Sequence, residues 1–154
     1  MLSIMGMGCQ IIISRGRPTS ISSFGYGSPG ELAVDGSYVS TMYNMGALIK
    51  SCFHSNYENN PYWIVHFKEE SVVNSVVIYN RMDCCSDRII GSIVELLSPT
   101  SEVVHQCGTI TETQGIYIFS CKGEIGSKVR IRNPGLKILH FCEVDVLGSK
   151  IIFK

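Results

Sequence analysis

The stretch KVRIRN, residues 128–133, decides the fold. Val129 and Ile131 point one way while Lys128, Arg130 and Arg132 point the other, the period-two pattern of a strand with one buried and one wet face. Working outward, FCEVDVL (141–147) alternates in the same way, setting Cys142, Val144 and Val146 against Glu143, Asp145 and Leu147. Further runs rich in β-branched and aromatic residues are QIIIS (10–14), YWIVHF (62–67), SVVIYN (75–80), SIVELL (92–97), GIYIFSC (115–121), ILHFCEVDVLG (138–148) and IIF (151–153). Gly, Ser, Pro and Asn separate them, and almost nothing reads as helix. The pattern predicts an all-β chain built as an antiparallel sandwich or jelly roll.

The chain has 154 residues, enough to bury a real core, and the simplest organisation is one domain spanning 1–154. Lys plus Arg and Asp plus Glu balance at 13 each, so no overall field draws in nucleic acid or an anionic membrane. The apolar beginning, MLSIMGMGCQIII, has no basic leader and is too short to span a bilayer. Two long stretches, 15–30 and 35–61, are poor in strand signal but carry Tyr, Phe and Met, as binding loops on a β scaffold do.

Seven cysteines with no Cys-x-x-Cys spacing argue against a zinc ribbon or thioredoxin chemistry. Three disulfides and one further thiol, Cys9, fit an oxidising, extracellular setting. Cys84 and Cys85 stand side by side within RMDCCSDR (81–88). Four readings of this doublet are open: a metal ligand pair, a thiol activated by Arg81 and Arg88, two bridges to distant partners, or a disulfide between neighbours. The last would present a flat, rigid, apolar sulfur face ringed by Arg donors, suited to a small ligand. Asp83 and Asp87 in the same loop would repel an anion and could hold the guanidiniums, which favours a neutral ligand such as a sugar. The plain alternative is that these charges form weak surface ion pairs.

At this point the residues resemble a known family. His54 in SCFHS, followed by Arg81, Asp83 and Arg88 spaced as Arg-x-Asp-x-x-x-x-Arg around the cysteine doublet, is similar to the hallmark of the F-type lectins. These are the fucose-binding proteins typified by eel fucolectins, with a discoidin-like fold. RGRPTSISS (15–23), ELAVDG (31–36), NNPYWIVHF (59–67), VVIYNRMDCCSDRIIG (76–91) and FCEVDVLG (141–148) extend the resemblance over roughly residues 10 to 148.

The resemblance implies an eight-stranded antiparallel β-sandwich (jelly roll) with one sugar site per chain and no catalysis. His54, Arg81 and Arg88 would hydrogen-bond an α-L-fucose, a Cys84–Cys85 disulfide would pack against the ring, and Asp83 would support the arginines. The remaining bridges would be Cys52–Cys142 and Cys107–Cys121. Phe24, Tyr26, Met45 and Leu48 are candidates for a pocket around the sugar methyl group. A structural calcium would draw on Ser37, Ser40, Met42, Ser51, Cys142 and Glu143, with Ser37 and Ser40 standing where the family has Asn and Asp. His66 stands where the family usually has Asp and reads as structural. The implied partners are fucosylated glycans or glycoproteins, met by a secreted homo-oligomer, trimeric as in the eel proteins, in innate immune recognition or cell agglutination. A discoidin-like module that binds protein or phospholipid through exposed apolar loop tips is the alternative.

Overall fold

The computed structural model describes residues 10–151. Cys9, the rest of the amino-terminal run and most of the IIF run lie outside the described residues. The strands are β1 (Ile11–Ile12), β2 (Thr19–Ile21), β3 (Tyr43–Asn44), β4 (Ala47–Leu48), β5 (Phe53–His54), β6 (Glu58–Asn59), β7 (Tyr62–Tyr79), β8 (Ile93–Leu97), β9 (Val103–Thr109), β10 (Ile116–Arg132), β11 (Leu136–Lys137), β12 (His140–Phe141) and β13 (Glu143–Lys150). Two short 3-10 turns, Gly30–Ala33 and Ser86–Ile89, complete the elements.

Every pairing is antiparallel, and the main sheet runs β1-β13-β7-β10-β8-β9 with β2 also on β7. The register divides this sheet into two layers. The first half of β7 pairs with β2 and with the end of β10, which continues to β8 and β9. The second half pairs with β13 and with the beginning of β10. Irregular register in β10 between Ser120 and Glu124, and between Gly126 and Lys128, lets it pass from one layer to the other. YWIVHF and SVVIYN are therefore one 18-residue strand, and GIYIFSC and KVRIRN one of 17 residues. The sandwich expected from the alternation is the architecture found.

Alternation explains the core. Trp63 and Val65 from the first half of β7, Val76 and Ile78 from the second, Val129 and Ile131 from β10, and Val144 and Val146 from β13 all bury fully between the layers. Each such aliphatic side chain contributes roughly 1.5–3 kcal/mol. Trp63 stands edge-on to Phe141, with centroids 5.3 Å apart, and its indole N–H donates to the Gly30 carbonyl at 3.0 Å, so its polar edge is satisfied.

One face differs from its reading. Glu143 and Asp145, which alternation sets outward, are buried. The loop after Val34 folds over them: Gly36 N–H donates to Glu143 Oε2 at 2.7 Å, and the Tyr38 hydroxyl donates to Asp145 Oδ2 at 2.7 Å. A strand alternates polar and apolar for solvent only where nothing covers its outer face.

Candidate functional site

The short pairs at one end of the sandwich position the site. Antiparallel pairing of β5 with β12 sets His54 opposite His140. The Cys52–Cys142 disulfide sits immediately before β5 and immediately after β12, tying the two together. His54 is only 3% exposed, because its N–H donates to Ser28 O at 3.1 Å and its carbonyl accepts from Gly25 N–H at 2.8 Å, bringing the 24–28 loop across it. Tyr26 meets its ring edge-on at 5.1 Å.

The His54 ring has a defined tautomer. Nδ1 lies 2.7 Å from the Ser55 carbonyl, which can only accept, so Nδ1 carries the proton and Nε2 is the acceptor of the neutral ring. Burial pushes the pKa of His54 down; the Ser55 carbonyl opposes this, while Arg81 and Arg88 reinforce it. His140 stacks beneath it at 5.3 Å and is fully buried, with neither ring nitrogen partnered among the described residues. Burial, then His54, Arg81 and Arg88, push the pKa of His140 down to about 3, so it is a neutral support.

Arg81 follows β7 directly and is 5% exposed. Its Nε donates to Asp83 Oδ1 at 2.8 Å, while Asp83 Oδ2 accepts the backbone N–H groups of Met42 at 3.2 Å and Tyr43 at 3.3 Å. Burial pushes the Asp83 carboxyl up, but Arg81 and the two amides outweigh it and hold the pKa below its ordinary value. Asp83 thus locks the arginine and the β3–β4 hairpin to one point, leaving the terminal nitrogens of Arg81 for a ligand. Tyr43 adds its ring, 6.0 Å from the Arg81 guanidinium carbon.

Cys84 and Cys85 are bonded to each other, and Cys107–Cys121 is the third bridge, which ties β9 to β10. Cys85 takes a left-handed conformation (φ 62°, ψ 31°), turning the chain into the Ser86–Ile89 turn that carries Arg88. Such a conformation costs a non-glycine residue about 1–2 kcal/mol and is held by its surroundings. Two buried asparagines hold this one. Asn80 Nδ2 donates to the carbonyls of Ser86 at 2.9 Å and Gln114 at 3.0 Å, and Asn133 Nδ2 donates to those of Arg88 at 3.1 Å and Ile90 at 3.3 Å. Gly91, at φ +94°, ends the loop where a side chain would press on Asn133 Oδ1.

The structure therefore gathers His54, Arg81, Arg88, Asp83 and the Cys84–Cys85 bridge at one end of the sandwich. Asp87 does not hold Arg88: no ion pair joins them among the described residues, since successive side chains on a tight turn diverge. Of the four apolar candidates, Tyr26 touches His54, and Phe24 lies two residues before it, next to Gly25. Met45 is fully exposed at the tip of the β3–β4 hairpin, and Leu48 is exposed on its second strand. Sequence reasoning missed Tyr43, His140, Asn80 and Asn133. The signal for His140 was a histidine between Leu139 and Phe141 in a short apolar run. His66 is structural, its Nε2 2.7 Å from Ser20 Oγ.

At the neighbouring end of the 35–44 loop, Glu143 Oε1 is buried with no partner among the described residues. Burial first, with Asp35 and Asp145 adding to it, pushes this carboxyl up to about 8. Ser51 Oγ donates to the Thr41 carbonyl, the Met42 carbonyl accepts from Ile49 N–H at 2.7 Å, and the Ser40 carbonyl accepts from Met82 N–H at 2.7 Å. Ser37 N–H donates to Asp35 Oδ1 at 2.9 Å.

Residues 32–131 match the family described as NedA-like, galactose-binding domain, which sets the class of the fold. The chain is 33% identical over 124 residues to fucolectin of Anguilla anguilla, covering 77% of this chain and 75% of that one. It is 34% identical over 117 residues to fucolectin-6 of Anguilla japonica, covering 74% of this chain, and spans 60% of that relative's length. A solved fucose binding module of Streptococcus pneumoniae superposes with a TM-score of 0.80 at 25% identity, over 89% of this chain and 94% of that one. Within that class, the chain belongs to the fucolectin, or F-type lectin, family.

Proposed function

We propose that the protein is a lectin that binds terminal α-L-fucose on glycans through His54, Arg81 and Arg88, without turnover. The observation that carries this reading is the convergence of two guanidiniums and one neutral imidazole at the Cys84–Cys85 bridge. The roles differ by chemistry. Arg81 and Arg88 can only donate, to hydroxyl and ring oxygens. His54 Nε2 can accept one hydroxyl proton. The sulfur face would pack on the apolar side of the pyranose, and Tyr26, edge-on to His54, and exposed Phe24 would give apolar cover to the methyl group of the 6-deoxy sugar. A site of fixed donors discriminates because a sugar without the matching oxygen leaves them unpaired. The names of the relatives, fucolectins and a fucose binding module, support the same ligand.

Retention on L-fucose-agarose tests the reading. The protein should be held, should elute with L-fucose and not with D-galactose, and Arg81→Ala should pass through. Elution by D-galactose alone would point instead to the ligand named in the family description.

A structural calcium at Glu143 is part of the proposal. What supports it is the buried Glu143 Oε1, which has no partner among the described residues; the Ser37, Ser40 and Ser51 hydroxyls and the Met42 and Cys142 carbonyls are the further oxygens such an ion would draw on. Among the described residues no three His, Cys, Asp or Glu side chains converge, so hydroxyls and carbonyls would supply most ligands. The ion would supply the positive charge that Glu143 lacks and would anchor the 35–44 loop.

Secretion and homo-oligomer formation are proposed with it. Three disulfides suit an oxidising compartment. A single sugar site binds weakly, so adhesion to fucosylated glycoproteins calls for several sites acting together. No helix among the described residues is long and apolar enough to cross a membrane.

A further inference from the structure

We infer that the outer face of the sheet along β7 and β10 is a docking surface for an extended acidic segment of a partner protein. The inference stands apart from the fucose reading and uses none of the residues of that site. Lys128, Arg130 and Arg132 alternate along β10 with the core residues Val129 and Ile131, so all three cations share the outer face. Each has a neighbour on β7: His66 opposite Lys128, Ile64 opposite Arg130 and Tyr62 opposite Arg132. At one end of these rows Asn60, Tyr62, Ile64, Arg130 and Arg132 line a cleft of about 340 Å³, with no acidic residue in its lining.

One buried carboxylate fixes this face. Glu95, opposite Arg130 on β8, is 3% exposed and accepts from Arg130 Nε at 3.0 Å and from Arg132 Nε at 2.7 Å. Arg132 Nη2 adds a longer bond to its second oxygen at 3.4 Å. A single negative charge thus orders two guanidiniums and leaves one positive charge unanswered. Lys128 adds a second: its Nζ donates to the neutral Ser101 hydroxyl at 2.8 Å and joins no ion pair among the described residues. The Arg130 and Arg132 side chains remain 25% and 35% exposed, so a ligand can reach them.

The spacing selects the occupant. Alternate residues of a strand repeat every ~6.7 Å, so the three cations form a row about 13 Å long. An extended peptide has the same repeat, and one with an acidic residue at every second position matches the row charge for charge. Tyr62 and Ile64 offer apolar surface beside it for the residues between. With no net charge on the chain, the attraction must come from this local row. Glu95 and the sheet already order the two arginines, so docking costs them little freedom.

The test is fluorescence anisotropy of the whole chain with a fluorescein-labelled peptide of sequence EVEVE, with KVKVK as the control. The acidic peptide should bind saturably at one per chain, and the basic one should not bind. Affinity should fall about tenfold between roughly 50 and 500 mM NaCl, as salt screens the row. Arg132→Gln should weaken binding about tenfold by removing a charge-assisted hydrogen bond, and Lys128→Gln about threefold, as for an exposed ion pair. Both variants should stay folded, which thermal unfolding checks: Glu95 keeps Arg130 in the first, and the second changes a surface lysine. No binding of EVEVE would overturn the inference, as would binding that neither variant weakens or that KVKVK matches. Binding of a heparin tetrasaccharide without binding of EVEVE would overturn it as well, in favour of a sulfated glycan. L-fucose titration of the same samples is read separately, and its failure would overturn the fucose reading alone.

Discussion

Replacing Asp83 by alanine should damage stability and binding together, because this carboxylate holds two parts of the site at once. It accepts Arg81 Nε at 2.8 Å on one oxygen and the Met42 and Tyr43 amides on the other. Arg81 has a side chain only 6% exposed, so removing its partner leaves a buried guanidinium uncompensated. The expected cost is about 3 kcal/mol, the lower end for a broken buried pair, because water can reach part of Asp83. In a domain of this size that lowers Tm by roughly 6–12 °C. Asp83→Asn keeps an acceptor for the amides but loses the charge, and should fall about midway. L-fucose affinity should drop at least tenfold in Asp83→Ala, since Arg81 loses its fixed direction. The assay is thermal unfolding alongside calorimetric titration, with Arg81→Ala and the double variant completing a cycle. A coupling near zero between the two residues, with Tm unchanged, would refute the view that Asp83 positions Arg81.

Four further outcomes follow from the same structure. Because burial, Arg81 and Arg88 hold the His54 pKa below its ordinary 6.5, L-fucose affinity should stay level from pH 8 to 6.5 and fall only in more acidic solution. There the acceptor Nε2 gains a proton; a midpoint at or above 6.5 would contradict this. The same shift means that the unfolded chain takes up the proton first, so stability also declines as pH falls below 6.5 towards the folded pKa. Mild reduction of Cys84–Cys85 should weaken L-fucose binding with little change in Tm, because a bridge between neighbours closes no loop. Opening Cys107–Cys121 by serine substitution should remove roughly 3 kcal/mol, as its separation of 14 residues implies, which denaturant unfolding can measure. Calcium should raise Tm in the wild-type protein and fail to do so in Glu143→Gln, when each is compared with its EGTA-treated form.

The layers of the fold were legible wherever a strand sets apolar residues on one face and polar residues on the other, as KVRIRN shows: Val129 and Ile131 are in the core while half-buried Arg130 and Arg132 bind Glu95 on the opposite face. That the two longest strands each cross both layers was not legible, because exposed Lys68, Glu69 and Glu70 interrupt the apolar pattern of β7 where its pairing shifts register, although the strand itself runs on from Tyr62 to Tyr79. Strand β9, VVHQCGT, was missed because it lies at a sheet edge and its polar and apolar residues are exposed alike. The hairpin of β3 and β4 was hidden too. Its turn residues, Met45 (φ 52°) and Gly46 (φ 81°), both lie in the left-handed region, and methionine is not the residue that announces such a turn.

For the site, the spacing of His54, Arg81, Asp83 and Arg88 around the cysteine doublet carried most of the information. Sequence could not show what lies beneath or beside these residues. The support from His140 and the asparagine clamps on the Arg88 loop both depend on contacts between segments far apart in the chain.

The most direct test of the central claim is a calorimetric titration of the oxidised protein with L-fucose, using D-galactose as the comparison sugar. Saturable heat with L-fucose alone, at one sugar per chain and a dissociation constant between roughly millimolar and micromolar, is the result predicted. No heat with L-fucose, or equal binding of both sugars, would contradict it.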